Sequence, residues 1–139
     1  MGGRIVVGVD GSPSSRGALD FAVKEAQRRD ADLEAVMAYR WTVYYPGMEY
    51  SSVPPPSKEQ VEAETMELLL KAVTHVPKQI RLDPIVVDGG SAHVLIEAAK
   101  GAELLVVGSR GRGGFRGLLL GSTSHQVVSH ATCPVVVVP

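Results

Sequence analysis

The chain has 139 residues and a mass of 14.7 kDa, a length that predicts one globular domain over residues 1–139. Its composition, 45% hydrophobic and 21% charged residues, excludes a disordered or membrane-spanning chain. Fourteen Lys and Arg against fifteen Asp and Glu leave a net charge of −1, which argues against nucleic acid or an anionic membrane as a partner. One cysteine excludes an intramolecular disulfide and a metal site built from several thiolates.

Short apolar runs alternate along the chain with helical patterns. The apolar runs predict five strands, at Ile5–Val9, Leu33–Arg40, Ile80–Val87, Leu104–Val107 and Val135–Val138. Helices are predicted between them, with N-caps at Ser12, Ser57 and Ser91 and a last helix from Ser122 to about His130. This βαβαβαβαβ order predicts an α/β domain with a parallel sheet and helices on both faces.

Two further features of the chain bear on its location and its loops. Met1 to Arg4 lead directly into the first strand without the apolar segment of a signal peptide, so we expect a cytoplasmic protein with no membrane partner. The segment Trp41–Pro56 is longer than most connections and contains three consecutive prolines. It is expected to be a lid, a partner surface or a spacer.

Two loops that follow strands carry the residues from which a binding site could be built. Ligands bind beyond the carboxyl ends of the strands in open parallel sheets. After the first strand, Gly8-Val9-Asp10 places a carboxylate among small residues. After the fourth, residues 108–121 contain six glycines and three arginines and lead into a helix N-terminus with three hydroxyl side chains. This second loop predicts a phosphate cradle, and the alternative is a flexible glycine loop with solvated arginines.

The common phosphate-binding motifs do not fit this second loop. The chain has no GxxxxGK[ST], and the GxGxxG pattern that begins at Gly111 fails at Arg116. The spacing Gly108-x2-Gly111-x9-Gly121-Ser122 matches another pattern, G-2x-G-9x-G-[S/T]. On this motif the chain resembles the ATP-binding branch of the universal stress protein family. The resemblance also covers Arg4–Ser12, Ala102–Gly111 and Cys133–Val138.

The resemblance implies a doubly wound, Rossmann-like sheet of strand order 3-2-1-4-5 and a bound ATP, with Mg²⁺ as a possible companion of its phosphates. The adenosine contacts would come from Gly8, Val9, Asp10 and Ala38. The ribose and phosphates would be lined by Val107, Gly108, Arg110 and Gly111. The phosphates would be held by backbone N–H and hydroxyl groups of Gly121, Ser122, Thr123 and Ser124. Alternatively, Asp10 is a carboxylate that only stabilises its own turn.

The apolar last strand Val135–Val138 would lie at a sheet edge, so we expect a homodimer that pairs this strand with its copy. Asp10 is the only carboxylate placed at the site and the phosphate loop has no lysine, which favours a nucleotide-dependent regulatory module over an enzyme. The resemblance implies that this module acts in the stress response. A slow ATP hydrolase, another adenine-nucleotide enzyme and a cyclic AMP binder remain alternatives.

His125 and His130 are five residues apart, so no metal site built by the protein is expected. Cys133 is expected to be a buried structural thiol.

Overall fold

The computed structural model of the chain describes residues 2–41, 54–111 and 120–139. Within them it has five strands, β1 (Arg4–Gly8), β2 (Asp32–Tyr39), β3 (Leu82–Asp88), β4 (Leu104–Gly108) and β5 (Val135–Val138). Four helices alternate with the strands, α1 (Pro13–Arg29), α2 (Lys58–Ala72), α3 (Ser91–Ala98) and α4 (Ser122–His130). The predicted alternation is confirmed. None of the described helices is long and apolar enough to cross a membrane.

The five strands form one parallel sheet in the order β3-β2-β1-β4-β5. In the register of the sheet, Val6 of β1 lies between Glu34 of β2 and Leu105 of β4. The strand order therefore reverses between β1 and β4, and the predicted doubly wound α/β fold is confirmed. Because the loops after β1 and β4 leave the sheet in opposite directions, a crevice opens between them at the carboxyl ends of the strands.

Both faces of the sheet are covered by helices, so adjacent residues of β1 are buried on opposite sides. Ile5 and Val7 pack in a cluster with Leu19 of α1 and Leu69 of α2. On the other face, Val6 joins a second cluster with side chains of β2, β4 and the remaining helices (Val36, Leu95, Leu105 and Val127). This double burial explains why the inner strands read as continuous apolar runs.

The helix N-termini divide into two kinds. The predicted caps of α1 and α2 are confirmed, because the Ser12 hydroxyl accepts from Ser15 N–H and Ser57 forms a capping box with Gln60. The predicted cap Ser91 is wrong, because Ser91 is already the first helical residue of α3 and its N-cap is Gly90. Helix α4 likewise begins after a glycine, Gly121, and among the described residues no side chain caps either of these two helices.

Candidate functional site

A cleft of about 520 Å³, including space open to solvent, lies at the carboxyl ends of β1, β2 and β4 and at the N-termini of α3 and α4. Its described lining consists of Gly8, Val9, Asp10, Ser15, Val36, Ala38, Ser91, Leu95, Val107, Gly108, Arg110, Gly111, Thr123 and Ser124. The structure thus brings the two loops singled out in the sequence to one place. Of the residues predicted for the site, Gly121 and Ser122 are the two outside this lining, and both lie at the start of α4.

Four lining residues have no counterpart in the sequence prediction, namely Ser15, Val36, Ser91 and Leu95. Val36 could have been found, since it lies two residues before Ala38 in β2 and alternate strand residues share a face. Ser91 and Leu95 are four residues apart on α3, one turn of the same helix face. The sequence carries no signal that places α3 beside β1, because that neighbour depends on the strand order.

Asp10 is fixed by the turn that connects β1 to α1. Its Oδ1 accepts a hydrogen bond of 2.8 Å from Ser12 N–H, and its own N–H donates to the Ser15 hydroxyl at 3.3 Å. Its other carboxylate oxygen, Oδ2, faces the loop after β4, since a Cβ added at Gly111 would lie 2.9 Å from it. Asp10 therefore has a structural role in the turn through one oxygen and faces the opposite loop with the other.

The first residues of the loop after β4 are anchored by main-chain and hydroxyl contacts. Gly121 N–H donates to Ser109 O at 2.6 Å, which joins the two ends of the loop. The Ser124 hydroxyl lies 3.0 Å from Ser109 O and 3.1 Å from Gly121 O, and the residue is only 2% exposed. This hydroxyl was predicted to hold a phosphate, but here it stabilises the loop backbone.

The end of β5 is attached to the same loop by a group of contacts that we call the serine junction, formed by Ser14, Ser109 and Val138. The Ser14 hydroxyl lies 3.3 Å from both the Ser109 hydroxyl and Val138 O. It also accepts a 3.3 Å hydrogen bond from Arg110 N–H. Ser109 N–H donates to Val138 O at 2.7 Å. The serine junction therefore connects α1, the loop and β5.

The N–H groups on this side of the cleft suit an anion with several oxygen atoms. No side chain of the described residues caps helix α4, so its first-turn N–H groups and the positive end of its dipole can face a ligand. Gly111 N–H donates to no residue in the described part of the chain. A Cβ at Gly121 would lie 3.4 Å from that nitrogen, so the absence of a side chain leaves the nitrogen accessible. With the Arg110 side chain also in the lining, the site matches a phosphate cradle.

The backbone conformation decides between two explanations for the glycines at motif positions 111 and 121. A glycine at Gly111 or Gly121 could serve either to let a ligand approach the backbone closely or to adopt a positive φ. Gly121 has a φ of −70°, and the glycines with positive φ in the described ranges are Gly11, Gly89 and Gly101. The positive-φ reason is therefore wrong for these two positions, and close approach is the reason that agrees with the structure.

A metal centre is not assembled in the described residues 2–41, 54–111 and 120–139. These ranges contain no group of three or more His, Cys, Asp or Glu side chains placed to hold a metal ion. Cys133 is half-buried beside the second core cluster, and burial raises the pKa of its thiol, which suits a packing role.

Comparison with known proteins identifies the family. The family model described as the universal stress protein family matches residues 1–139. The chain belongs to the universal stress protein family. A universal stress protein of Mycolicibacterium smegmatis is 37% identical to it over 139 residues, which cover 96% of this chain and 45% of that relative. This universal stress protein chain thus spans less than half the length of the curated relatives it matches.

Solved structures of the universal stress protein family agree with the fold. UspA from Lactobacillus plantarum is 26% identical with a TM-score of 0.72, and the match covers 98% of this chain and 97% of that one. A universal stress protein in complex with cAMP is 30% identical with a TM-score of 0.71, and the match covers 97% of this chain and 94% of that one. The sheet and helices of this chain are therefore those of its family.

Proposed function

We propose that this universal stress protein binds ATP in the cleft, with Mg²⁺ on the phosphates, and acts in the cytoplasm as a nucleotide-dependent regulatory module of the stress response. The observation that carries the proposal is the N-terminus of α4, which no described side chain caps and which lies beside the accessible Gly111 N–H at the switch point of the sheet. Both are donors for phosphate oxygens. The G-2x-G-9x-G-S motif places Gly108, Gly111 and Gly121 at this point.

The two ends of the cleft differ in polarity, as an adenine nucleotide requires. Val36, Ala38 and Leu95 make one end apolar, suited to the faces of a base. The other end contains Arg110 and Thr123 together with the free N–H groups, suited to phosphates. A bound nucleotide would supply phosphate oxygens to Mg²⁺. The chain would supply N–H donors to the phosphates, and Asp10 is the one carboxylate in the described lining of the site.

A regulatory role is favoured over catalysis by the residues that line the cleft. In its described lining, Asp10 is the only acidic residue and Arg110 the only permanently charged cation. Efficient phosphoryl transfer needs metal, cationic groups and a positioned nucleophile together. Slow ATP hydrolysis, or another adenine-nucleotide reaction in the same cleft, is the enzymatic alternative. Steady-state phosphate release well above the uncatalysed rate would favour that alternative.

Cyclic AMP is a second candidate ligand, favoured by the structure of a 30% identical family member in complex with cAMP. Calorimetric titration with ATP, AMP and cyclic AMP separates the candidates. We expect ATP to bind more tightly than AMP, because the cradle has donors for more than one phosphate group. Mass spectrometry of the small molecule released from freshly purified, denatured protein provides an independent test. Preferential binding or release of cyclic AMP would overturn the ATP proposal.

The role of Asp10 is tested by Asp10→Asn, which keeps an oxygen for Ser12 N–H and removes the negative charge. If Asp10 contacts the adenosine moiety, ATP and AMP affinities are expected to fall by similar factors, about tenfold to a hundredfold, as for a charged hydrogen bond. Calorimetry with both nucleotides measures this. A large loss for Mg-ATP with little change for AMP would assign Asp10 to magnesium instead. Unchanged affinity for both nucleotides would leave Asp10 with its turn role alone.

We further propose that the protein forms a homodimer through β5. This strand ends one side of the sheet, and its four valines are half-buried. On the β4 side, the carbonyls of Pro134 and Val138 accept hydrogen bonds from Leu105 N–H and Ser109 N–H. Because backbone groups of successive strand residues point to alternate sides, Val137 directs its N–H to the edge that no described strand covers. A copy of the same strand could pair there.

Val137→Pro tests the dimer by removing this outward N–H without removing a bond to β4. We expect a dimer for the wild type and a monomer for the variant at micromolar concentration, measured by light scattering after size-exclusion chromatography. Val86→Pro is the matched control, since Val86 N–H points outward from the opposite edge strand, β3, where Pro84 is already tolerated. A monomeric wild type, or dissociation in the control alone, would contradict the proposal.

A further inference from the structure

A second concavity lies on the other side of the β1–α1 turn, between the first turns of α1 and the end of α2. It is a groove of about 1210 Å³, including space open to solvent. Its described lining consists of Val9, Gly11, Ser12, Pro13, Ser15, Arg16, Leu19, Lys71, Ala72, Thr74 and His75. We call it the α1–α2 groove. Val9 and Ser15 also line the nucleotide cleft, so the two sites are neighbours separated by one turn of chain.

The bottom of the α1–α2 groove is apolar. Leu19 and Val9 belong to the core cluster on the α1 and α2 face of the sheet, and Ala72 packs against the same cluster. The base end of the nucleotide cleft instead lies against the cluster on the opposite face. Apart from the shared Val9 and Ser15, a ligand in the groove would therefore contact different side chains from a nucleotide in the cleft.

The rim of the α1–α2 groove is basic. Its described lining contains Arg16, Lys71 and His75 and no acidic residue. Arg16 N–H donates to Ser12 O, but within the described part of the chain the Arg16 guanidinium has neither a hydrogen bond nor an ion pair. Lys71 Nζ lies 3.7 Å from Glu67 Oε1, but both side chains are mostly exposed, so this pair contributes little. His75 Nε2 lies 3.0 Å from Asp20 Oδ1.

The hydroxyl groups of the groove are already engaged. Ser12 Oγ accepts from Ser15 N–H and donates to Arg110 O, while Ser15 Oγ donates to Ser12 O. Thr74 Oγ1 donates to main-chain carbonyls one turn earlier in the chain. A ligand would thus be recognised through positive charge and apolar contact, rather than through hydroxyl hydrogen bonds.

We propose that the α1–α2 groove is a second ligand site, for a small organic anion with an apolar body such as an aromatic or short-chain acid. The exposed Pro13 and the half-buried Ala72, which lie over the nearly buried Val9 and Leu19, would contact the body, and Arg16 and Lys71 would attract the acid group. The N-terminus of α1 adds positive potential at the same rim. An inorganic anion would gain nothing from the floor, and a neutral hydrocarbon would gain nothing from the rim. The site does not depend on whether ATP binds in the cleft.

The test uses 8-anilinonaphthalene-1-sulfonate, an aromatic sulfonate whose fluorescence rises in apolar surroundings, and its uncharged analogue N-phenyl-1-naphthylamine. We expect saturable binding of the sulfonate to the full chain at one site and much weaker binding of the uncharged analogue. Arg16→Gln combined with Lys71→Gln is expected to weaken sulfonate binding about tenfold, and each single variant about threefold. A large excess of ATP or of inorganic phosphate is expected to leave the sulfonate bound.

Arg28→Gln combined with Lys100→Gln is the matched control, because it removes the same charge from exposed residues outside the groove. Far-UV circular dichroism and the thermal midpoint are compared for every variant, since the sulfonate also binds partly unfolded protein. Displacement by ATP would place the probe in the nucleotide cleft and overturn the proposal. Equal affinities of the groove and control variants, or the lack of saturable binding to the wild type, would also overturn it.

Discussion

Gly121→Val is expected to abolish ATP binding in a protein that remains folded. The Cβ would lie 3.4 Å from Gly111 N and 3.5 Å from both Arg110 Cα and Ser109 O, distances that a folded chain accommodates. The backbone at Gly121 is extended, with φ −70° and ψ 169°, a conformation that valine adopts readily. The added methyl groups would fill the space beside Gly111 N–H and shield it from a phosphate. Calorimetry with ATP measures the loss, and far-UV circular dichroism verifies the fold.

Two milder variants test how the loss of ATP affinity depends on the size of the change. Gly121→Ala adds only the Cβ, so we expect a smaller loss of ATP affinity than with valine. Ser122→Ala leaves the backbone cradle intact and removes one exposed hydroxyl, which is worth about 0.5–3 kcal/mol, or a few-fold to roughly hundredfold in affinity. Wild-type ATP affinity in folded Gly121→Val would show that the phosphates do not lie at this loop.

Gly108→Ala is expected to destabilise the fold, lowering the free energy of unfolding by about 1–3 kcal/mol. A Cβ at Gly108 would lie 2.7 Å from the carbonyl carbon and 2.9 Å from the carbonyl oxygen of Ser14. These are backbone atoms of α1, so relief requires the helix to move away from β4. Urea unfolding of the variant and the wild type measures the change.

Gly121→Ala is the matched control for Gly108→Ala, because at Gly121 the same methyl group meets no atom of the described residues closer than 3.4 Å. Its unfolding midpoint is expected to stay near that of the wild type. Equal stability of Gly108→Ala and the wild type would contradict the close packing of α1 on β4. The glycines of one motif thus separate by experiment into a packing glycine, Gly108, and a ligand glycine, Gly121.

The strands could be predicted from the sequence because burial on both faces turns them into unbroken apolar runs. Helix starts were also readable where a serine caps the first turn, as at Ser12 and Ser57. The strand order, in contrast, could not be predicted from local sequence patterns. It depends on pairings such as Ile5 with Leu104, about a hundred residues apart, which no local pattern specifies. That order came from the family resemblance and was confirmed by the structure.

Local chemistry in the candidate site could be predicted, but long-range contacts could not. The carboxylate at Asp10 and the glycines after β4 stand out in the sequence because small and acidic residues follow apolar runs. The role of the Ser124 hydroxyl depends on which carbonyl lies opposite it, and that carbonyl is Ser109 O. The α1–α2 groove likewise exists only because Arg16 and Lys71, 55 residues apart, meet across two packed helices.

The serine junction bears on when the cleft forms during synthesis, because its residues come from distant parts of the chain. A ribosome releases Ser14 and Ser109 before Val138, whose carbonyl both residues approach. While β5 is still inside the ribosome, Ser109 N–H lacks this acceptor and the loop after β4 is held by fewer bonds. A nascent chain would therefore complete its sheet from β3 to β4 before it acquires a finished cleft. The cleft is therefore complete only when β5 has paired with β4 and Val138 O has met Ser109 N–H.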